Sequence, residues 1–151
     1  MRKRSVGVSG LQVSQLGLGT LTWGRETRLE DARPLLTAFV DAGGNLVDTA
    51  AAYAEGDAER IIGRLIRAGD VTRDQLVIAT KAGFGVRDGQ RVVDTSRTAL
   101  LEDLRASLRR LGTDYLDLWQ LHAWGQAPLE ESLAAIDTAV TAGDVRYAGV
   151  C

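Results

Sequence analysis

Hydrophobic positions along this chain follow two alternating patterns. Four segments carry apolar residues at helical spacing, namely residues 29–42, 58–68, Leu129–Ala142 and a segment capped by Thr95 or Ser96 whose leucine stripe ends at Leu111. A glycine follows each of these segments, which is typical of a helix end. Between them lie five short apolar or β-branched runs, at 16–20, 45–47, 76–80, 115–121 and 145–151, which predict strands.

The order of these segments predicts the fold class. Residues 5–15 alternate apolar and polar positions around Ser9-Gly10, which predicts a β-hairpin, and strands then alternate with helices to the end. Such alternation predicts one α/β domain over residues 1–151, with a parallel sheet and right-handed crossovers. Periodicity leaves both a doubly wound sheet and a closed barrel open. Gly17-Leu18-Gly19 resembles the start of a dinucleotide-binding loop, but Thr22 replaces its last glycine. The polar segment 83–94 is the longest predicted loop.

Composition excludes several classes of function. A net charge of −2, with 45% hydrophobic and 25% charged residues, provides no electrostatic surface for nucleic acid or an anionic membrane. The basic start at residues 1–4 precedes no apolar signal segment, and no apolar run approaches the ~18 residues of a membrane span. Cys151 is the single cysteine, so no disulfide framework is indicated. We therefore expect a cytoplasmic protein without a nucleic-acid or membrane partner.

Four residues able to do acid–base chemistry follow the predicted strands. Asp48 comes directly after the second strand, with Tyr53 a short loop beyond it, Lys81 follows the third strand and His122 follows the fourth. The carboxyl ends of parallel strands meet on one face, where active sites are built. Each residue alone has a more ordinary explanation, such as a solvated strand end or a hydrogen-bonded core histidine. Their joint placement predicts a shared catalytic pocket.

The chemistry of this set favours carbonyl reduction. An isolated tyrosine is a poor acid at neutral pH because its pKa is near ~10, but a nearby ammonium stabilises the phenolate. Lys81, paired with Asp48, would serve Tyr53 in this way, while His122 would orient a substrate oxygen. The sequence shows no metal-ligand pair, so an external hydride donor such as a nicotinamide fits best. Trp23 and Trp124 also follow strand ends, and the sequence leaves two roles open for each: a wall of an apolar substrate pocket, which we predict, or simple packing.

These residues resemble the signatures of the aldo/keto reductase family. The stretches that carry the resemblance are residues 43–50 with Tyr53, Gly56 and Glu59, then residues 79–81, 107–118 and 120–122. The resemblance runs from about residue 5 to the end of the chain. It implies a (β/α)₈ TIM barrel closed below by an N-terminal hairpin. It also implies Tyr53 as general acid, Lys81 and Asp48 tuning it, His122 positioning the carbonyl, and NADPH, with NADH as a possibility, as cofactor.

The resemblance carries further expectations about cofactor and extent. Gly19, Thr20 and Cys151 are expected in the cofactor site, with Cys151 standing where the family usually has serine. A (β/α)₈ barrel takes ~250 residues, so we expect this chain to be part of a longer protein. The alternative is an inactive half-barrel. The expected function is reduction of aldehydes or ketones to alcohols, and a redox-sensing regulatory subunit, like the channel β-subunits of the same family, is the competing hypothesis.

Overall fold

The chain alternates strands and helices after an N-terminal hairpin. The computed structural model describes residues 1–87 and 89–151. The strands are β1 (Lys3–Ser5), β2 (Gln12–Ser14), β3 (Gly17–Gly19), β4 (Leu46–Asp48), β5 (Val77–Ala82), β6 (Phe84–Arg87), β7 (Gln90–Val93), β8 (Leu116–Leu121) and β9 (Val145–Val150). The helices are α1 (Leu29–Asp41), α2 (Asp57–Ala68), α3 (Arg97–Leu111) and α4 (Leu129–Ala142), with 3₁₀ turns at Tyr53–Gly56 and Arg73–Gln75.

Five strands form one parallel sheet in chain order, β3-β4-β5-β8-β9. Each new strand is added on the same side of the previous one. Because parallel crossovers are right-handed, this order places the connecting helices on one face of the sheet. A doubly wound sheet would instead reverse direction partway. The predicted β/α alternation is confirmed, and the strand order follows the barrel alternative.

Two predicted strand ends move by a residue or two, and both shifts concern the candidate site. Asp48 is the last residue of β4, and Lys81 lies within β5, one residue before its end. Both were predicted to follow their strands. A side chain on a strand is oriented by the pleat, with successive residues pointing to opposite faces, so these two side chains are positioned more rigidly than loop residues.

The predicted polar loop at 83–94 is wrong, because this segment forms a second β-hairpin. Strands β6 and β7 pair antiparallel, with Phe84 opposite Val93 and Val86 opposite Arg91. The sequence places Asp88-Gly89 between the two strands, which is a strong hairpin signal when alternating apolar residues flank it. The polar composition of the segment obscured that alternation. The hairpin rises directly from the end of β5, next to the candidate site.

The hydrophobic core lies between the sheet and the helices. Fully buried members come from each layer and include Leu36, Val47, Ile62, Ile78, Leu104 and Ala135.

Of the two residues predicted to cap α3, Ser96 is confirmed, since its hydroxyl accepts a hydrogen bond from Ala99 N at 3.4 Å. Within residues 1–87 and 89–151, none of the helices has the length and apolar content needed to cross a membrane.

The N-terminal hairpin is fastened under the amino end of β4 by a buried polar cluster. Asn45 Oδ1 accepts a hydrogen bond from Ser14 N at 2.7 Å, and Asn45 Nδ2 donates to Gln12 O at 3.1 Å. The Ser14 hydroxyl accepts in return from Asn45 N at 3.1 Å. The hairpin begins at Lys3, earlier than predicted, and residues 6–11 connect its strands by a wider turn than Ser9-Gly10 alone.

Asn45→Ala should lower the free energy of unfolding of the protein by about 1–3 kcal/mol, because it leaves buried backbone groups of the hairpin without partners. Chemical denaturation measures this. Gln12→Ala is the control, since it removes only the exposed contact to Ser5 and keeps the backbone acceptor of Asn45. It should change stability by less than about 0.5 kcal/mol. Equal effects of the two variants would contradict this role for Asn45.

Candidate active site

The Lys81 ammonium is the centre of the candidate site. Its Nζ lies 2.8 Å from both carboxylate oxygens of Asp48 and donates to the Thr49 carbonyl oxygen at 2.9 Å. It also lies 3.3 Å from the Tyr53 hydroxyl oxygen. The Lys81 side chain is 7% exposed, whereas that of Asp48 is 41% exposed. A buried ammonium is thus compensated by a carboxylate at the open side of the site.

The position of Asp48 depends on its neighbours in the sheet. The register places Asp48 between Gly19 of β3 and Ala79 of β5. Its backbone carbonyl oxygen accepts hydrogen bonds from both Thr20 N and Thr20 Oγ1, each at 3.0 Å. The buried Thr20 side chain therefore fixes the ends of β3 and β4 together. Gly19 and Thr20, both predicted to lie in a cofactor site, are neighbours of Asp48 in the structure.

Tyr53 begins a turn of unusual backbone conformation. The next two residues, Ala54 (φ 49°, ψ 43°) and Glu55 (φ 55°, ψ 36°), are both left-handed, and Gly56 continues with φ 87°. Consecutive non-glycine residues in this region are uncommon, and each costs on the order of 1–3 kcal/mol unless the surroundings impose it. The turn lies between the Tyr53 side chain and the start of α2. Local strain therefore accompanies the placement of the phenol.

His122 follows β8 and closes the other side of the site. Its backbone N donates to Ala82 O at 2.9 Å. The imidazole packs edge-on against the Tyr53 ring, with centroids 6.0 Å apart, and against the Phe84 ring at 5.2 Å. Its Nδ1 is buried and has no hydrogen-bond partner within the described residues. Burial, and then the Lys81 charge, lower the pKa of His122 below 6.5, with Asp48 opposing them.

Phe84 is the contact that sequence reasoning missed. It starts β6, in the segment predicted as a polar loop, and its ring packs edge-on against the imidazole of His122. The alternation of Phe84 and Val86 ahead of Asp88-Gly89 was the available signal. The position of Phe84, two residues beyond the end of β5, also placed it near the carboxyl ends of the strands.

The two predicted pocket tryptophans lie in different environments. Trp23 is 2% exposed and belongs to the hydrophobic core, so it offers almost no surface to a substrate. Trp124 is 64% exposed. It lines a cleft of about 560 Å³ together with Val93, which is the last residue of β7, and with residues 125–127, which come directly after Trp124. Cys151 is exposed at the carboxyl end of β9, where its backbone N donates to Leu121 O at 3.0 Å.

The geometry brings Asp48, Tyr53, Lys81 and His122 into one cluster. Their arrangement offers a phenol that can give up a proton, an ammonium that stabilises the charge left behind, and a neutral imidazole that can donate one hydrogen bond. Within the part of the chain that the structure describes, no group of three or more His, Cys, Asp or Glu side chains is arranged to hold a metal ion. The cluster is suited to proton transfer at a bound oxygen.

Comparison with known proteins places the chain in a family. The sequence model of the aldo/keto reductase family matches residues 15–151. The aldo-keto reductase YhdN of Bacillus subtilis is 35% identical over 99% of this chain and 46% of its own length. A probable voltage-gated potassium channel subunit beta of Oryza sativa subsp. japonica is 37% identical over 99% of the chain and 46% of its length.

A solved structure agrees with these sequence relatives. The holo form of aldo-keto reductase AKR11C1 from Bacillus halodurans superposes with a TM-score of 0.89 and 35% identity, covering 99% of this chain and 50% of that one. The chain belongs to the aldo/keto reductase family, as its motifs predicted. Its fold is part of the barrel of that family, and it spans about half the length of the relatives it matches.

An NMR titration of His122 should show a midpoint below 6.5, and Lys81→Met should raise that midpoint because the repelling ammonium is lost. Lys3→Met, which changes the only other lysine, should leave it unchanged. Since folding lowers this pKa, the unfolded chain binds the proton more readily. The contribution of His122 to stability is therefore complete above pH 6.5 and is lost as the pH falls from 6.5 towards the folded value. A midpoint at or above 6.5 would contradict the described burial.

Proposed function

We propose that the protein reduces aldehydes or ketones to alcohols, with NADPH as the source of hydride. The observation that carries this proposal is the contact of one buried ammonium with both a phenol and a carboxylate. Because the chain spans about half the length of its relatives, the activity is proposed for the full-length protein that contains these residues. NADH remains the alternative hydride donor. The test is turnover of a panel of aldehydes and ketones with each nicotinamide.

The proposed proton transfer uses four side chains in distinct roles. The substrate carbonyl oxygen accepts hydrogen bonds from the Tyr53 hydroxyl and from the neutral His122 imidazole. As negative charge develops on that oxygen, Tyr53 gives it the proton and keeps the electron pair of its O–H bond. The Lys81 ammonium, 3.3 Å from the phenol oxygen, stabilises the resulting phenolate. Asp48 holds Lys81 in place and balances its charge.

The residues present fit a nicotinamide beside this cluster. The Asp48 side chain is 41% exposed on the open side of the cluster, and the His122 Nδ1 is buried without a hydrogen-bond partner among the described residues. We propose that Gly19, Thr20 and Cys151, at the carboxyl ends of β3 and β9, contact the cofactor. The cofactor, when bound, supplies hydride to the carbonyl carbon. Trp124 and its cleft are proposed to take the apolar part of the substrate.

A regulatory role is the second candidate, and one relative favours it. The rice protein named as a probable potassium channel subunit beta is 37% identical over nearly the whole chain. A protein of this kind can keep the same four side chains and use them to sense the redox state of a nicotinamide. Steady-state turnover separates the two functions. An enzyme turns over carbonyl substrates repeatedly, whereas a sensor binds the cofactor with little or no turnover.

Tyr53→Phe should lower kcat by about 10²–10⁴-fold in the full-length protein while the affinity for NADPH changes little. The substitution removes the proposed proton and keeps the ring that packs on His122. Tyr147→Phe in β9 is the matched control and should keep wild-type kcat. Steady-state kinetics and fluorescence titration with NADPH provide the two readouts. A Tyr53→Phe variant that retains more than ~10% of kcat would place proton donation elsewhere.

Lys81→Met and Asp48→Asn should both lower kcat and shift the basic limb of the pH–rate profile. The first removes the charge that stabilises the phenolate, and the second removes the charge that holds the ammonium. Lys81→Met should change thermal unfolding little, since Met replaces a buried chain of similar length and leaves a carboxylate that is already 41% exposed, whereas Asp48→Asn should lower the melting temperature because the buried ammonium loses its carboxylate. A large loss of stability with an unchanged pH profile would make the pair structural.

A further inference from the structure

A second buried ion pair lies directly behind the candidate site. The Glu59 carboxylate on α2 is fully buried. Its Oε1 accepts a hydrogen bond from the Thr80 hydroxyl at 2.6 Å, and its Oε2 accepts from Arg110 Nε at 2.6 Å. Arg110 also donates to the Ser107 hydroxyl at 3.2 Å. None of these residues takes part in the proposed proton transfer.

The face of α2 around Glu59 is shaped to admit Arg110. Gly63 lies four residues after Glu59 on the same face of α2, and Gly56, three residues before Glu59, is the left-handed residue that precedes the helix. A Cβ at Gly56 would lie 2.6 Å from Arg110 Cδ, and one at Gly63 would lie 2.4 Å from Arg110 O. Any side chain at either position would displace the arginine or the end of α3. The absence of side chains at Gly56 and Gly63 therefore leaves room for Arg110 to reach the Glu59 carboxylate.

The Glu59 carboxylate links the two segments that carry the acid–base pair. Thr80 directly precedes Lys81 on β5, and successive strand residues point to opposite faces. The Thr80 hydroxyl therefore reaches out to α2 while the Lys81 ammonium reaches in to the site. Tyr53 is connected to the same helix through the left-handed turn at residues 54–56. One carboxylate behind the sheet joins the strand of Lys81 to the helix that carries the turn of Tyr53.

The strained turn packs against two other segments of the chain. A Cβ at Gly24, in the loop after β3, would lie 3.0 Å from Ala54 Cβ and 2.7 Å from Asp57 Cβ. The Arg110 side chain, from α3, packs against Gly56. Left-handed residues persist only where surrounding contacts impose the conformation. Arg110 supplies one of those contacts and anchors Glu59 at the same time.

We propose that Glu59, held by Arg110, is a positioning residue that sets the distance between the Tyr53 hydroxyl and the Lys81 ammonium. The inference rests on the proposed function and deepens it. A purely structural role is the alternative, but a buried ion pair is weak evidence for stability, since replacing both of its partners by apolar residues is often neutral, although removing only one partner is destabilising. The two roles differ in whether the loss of Glu59 changes the distance between the Tyr53 hydroxyl and the Lys81 ammonium. Loss of the link should misplace the phenol and slow proton transfer without weakening substrate binding.

The first test compares two buried carboxylates in the full-length protein. Glu59→Met removes the link, whereas Asp117→Leu removes a buried carboxylate that pairs with Arg73 and Arg146, at the opposite end of β8 from His122. Glu59→Met should lower kcat on the order of 10–10²-fold with KM little changed, and shift the basic limb of the pH–rate profile. Asp117→Leu should lower the melting temperature without changing the pH profile.

A second readout does not depend on turnover. The His122 imidazole packs edge-on against the Tyr53 ring, so its C–H resonances report where that ring lies. The resonances are assigned by their loss in His122→Asn. Glu59→Met should move them and Asp117→Leu should not. If the wild-type protein reduces no carbonyl compound, the proposed function fails, while these resonances still decide whether Glu59 positions Tyr53.

A milder pair of variants covers the case in which Glu59→Met does not fold. Thr80→Val keeps the shape of the side chain and removes only the hydroxyl that reaches Glu59, and Thr80→Ser restores it. Thr80→Val should lower kcat and move the His122 resonances, and Thr80→Ser should recover both. Wild-type kcat and resonances in Thr80→Val would overturn the proposal. So would a Glu59→Met variant that loses thermal stability like Asp117→Leu but keeps the wild-type pH profile.

Discussion

The candidate site depends on burying one ammonium with enough acceptors. Lys81 Nζ carries three N–H groups and lies within hydrogen-bonding distance of the Asp48 carboxylate, the Thr49 carbonyl oxygen and the Tyr53 hydroxyl. A compact ammonium suits this convergence, whereas a planar guanidinium would not. The chain has only two lysines among its 18 basic residues, so arginine serves almost everywhere else.

The rest of the fold supplies the acceptors at the right places. Parallel pairing of β4 with β5 brings Asp48 next to the strand of Lys81, and Thr20 fixes the end of β4 to that of β3. Phe84 on the second hairpin and Tyr53 both pack edge-on against the imidazole of His122. The sheet register, the turn after Tyr53 and the second hairpin therefore all position side chains of the same small cluster. The sequence motifs of the family imply these contacts because the backbone that positions the side chains is similar in its members.

Much of this arrangement could be predicted from the sequence, for physical reasons. Helical and strand periods are local, so α4 was predicted at its observed bounds, and parallel topology placed Asp48, Lys81 and His122 at one face. Tertiary features were not accessible. Nothing local distinguishes Trp23, which is buried, from Trp124, which is exposed. Alanine at position 54 gives no signal for a left-handed turn, which the packing of distant residues imposes.

The same reasoning explains why the buried ion pair escaped sequence analysis. Glu59 and Arg110 are 51 residues apart, and each sits on a helix where charged residues are usually solvated. Only the packing of α2 on α3 brings them together. The second hairpin is a different case, since Asp88-Gly89 was a readable signal that composition outweighed.

The central claim is that Tyr53 and Lys81 act as one unit in proton transfer. A double-mutant cycle of kcat with Tyr53→Phe, Lys81→Met and the combined variant tests it most directly. Groups that act together give strongly non-additive losses, so adding Tyr53→Phe to Lys81→Met should lower kcat hardly further. If the two losses instead multiply in the double variant, the phenol and the ammonium work independently, and the account of the site is wrong.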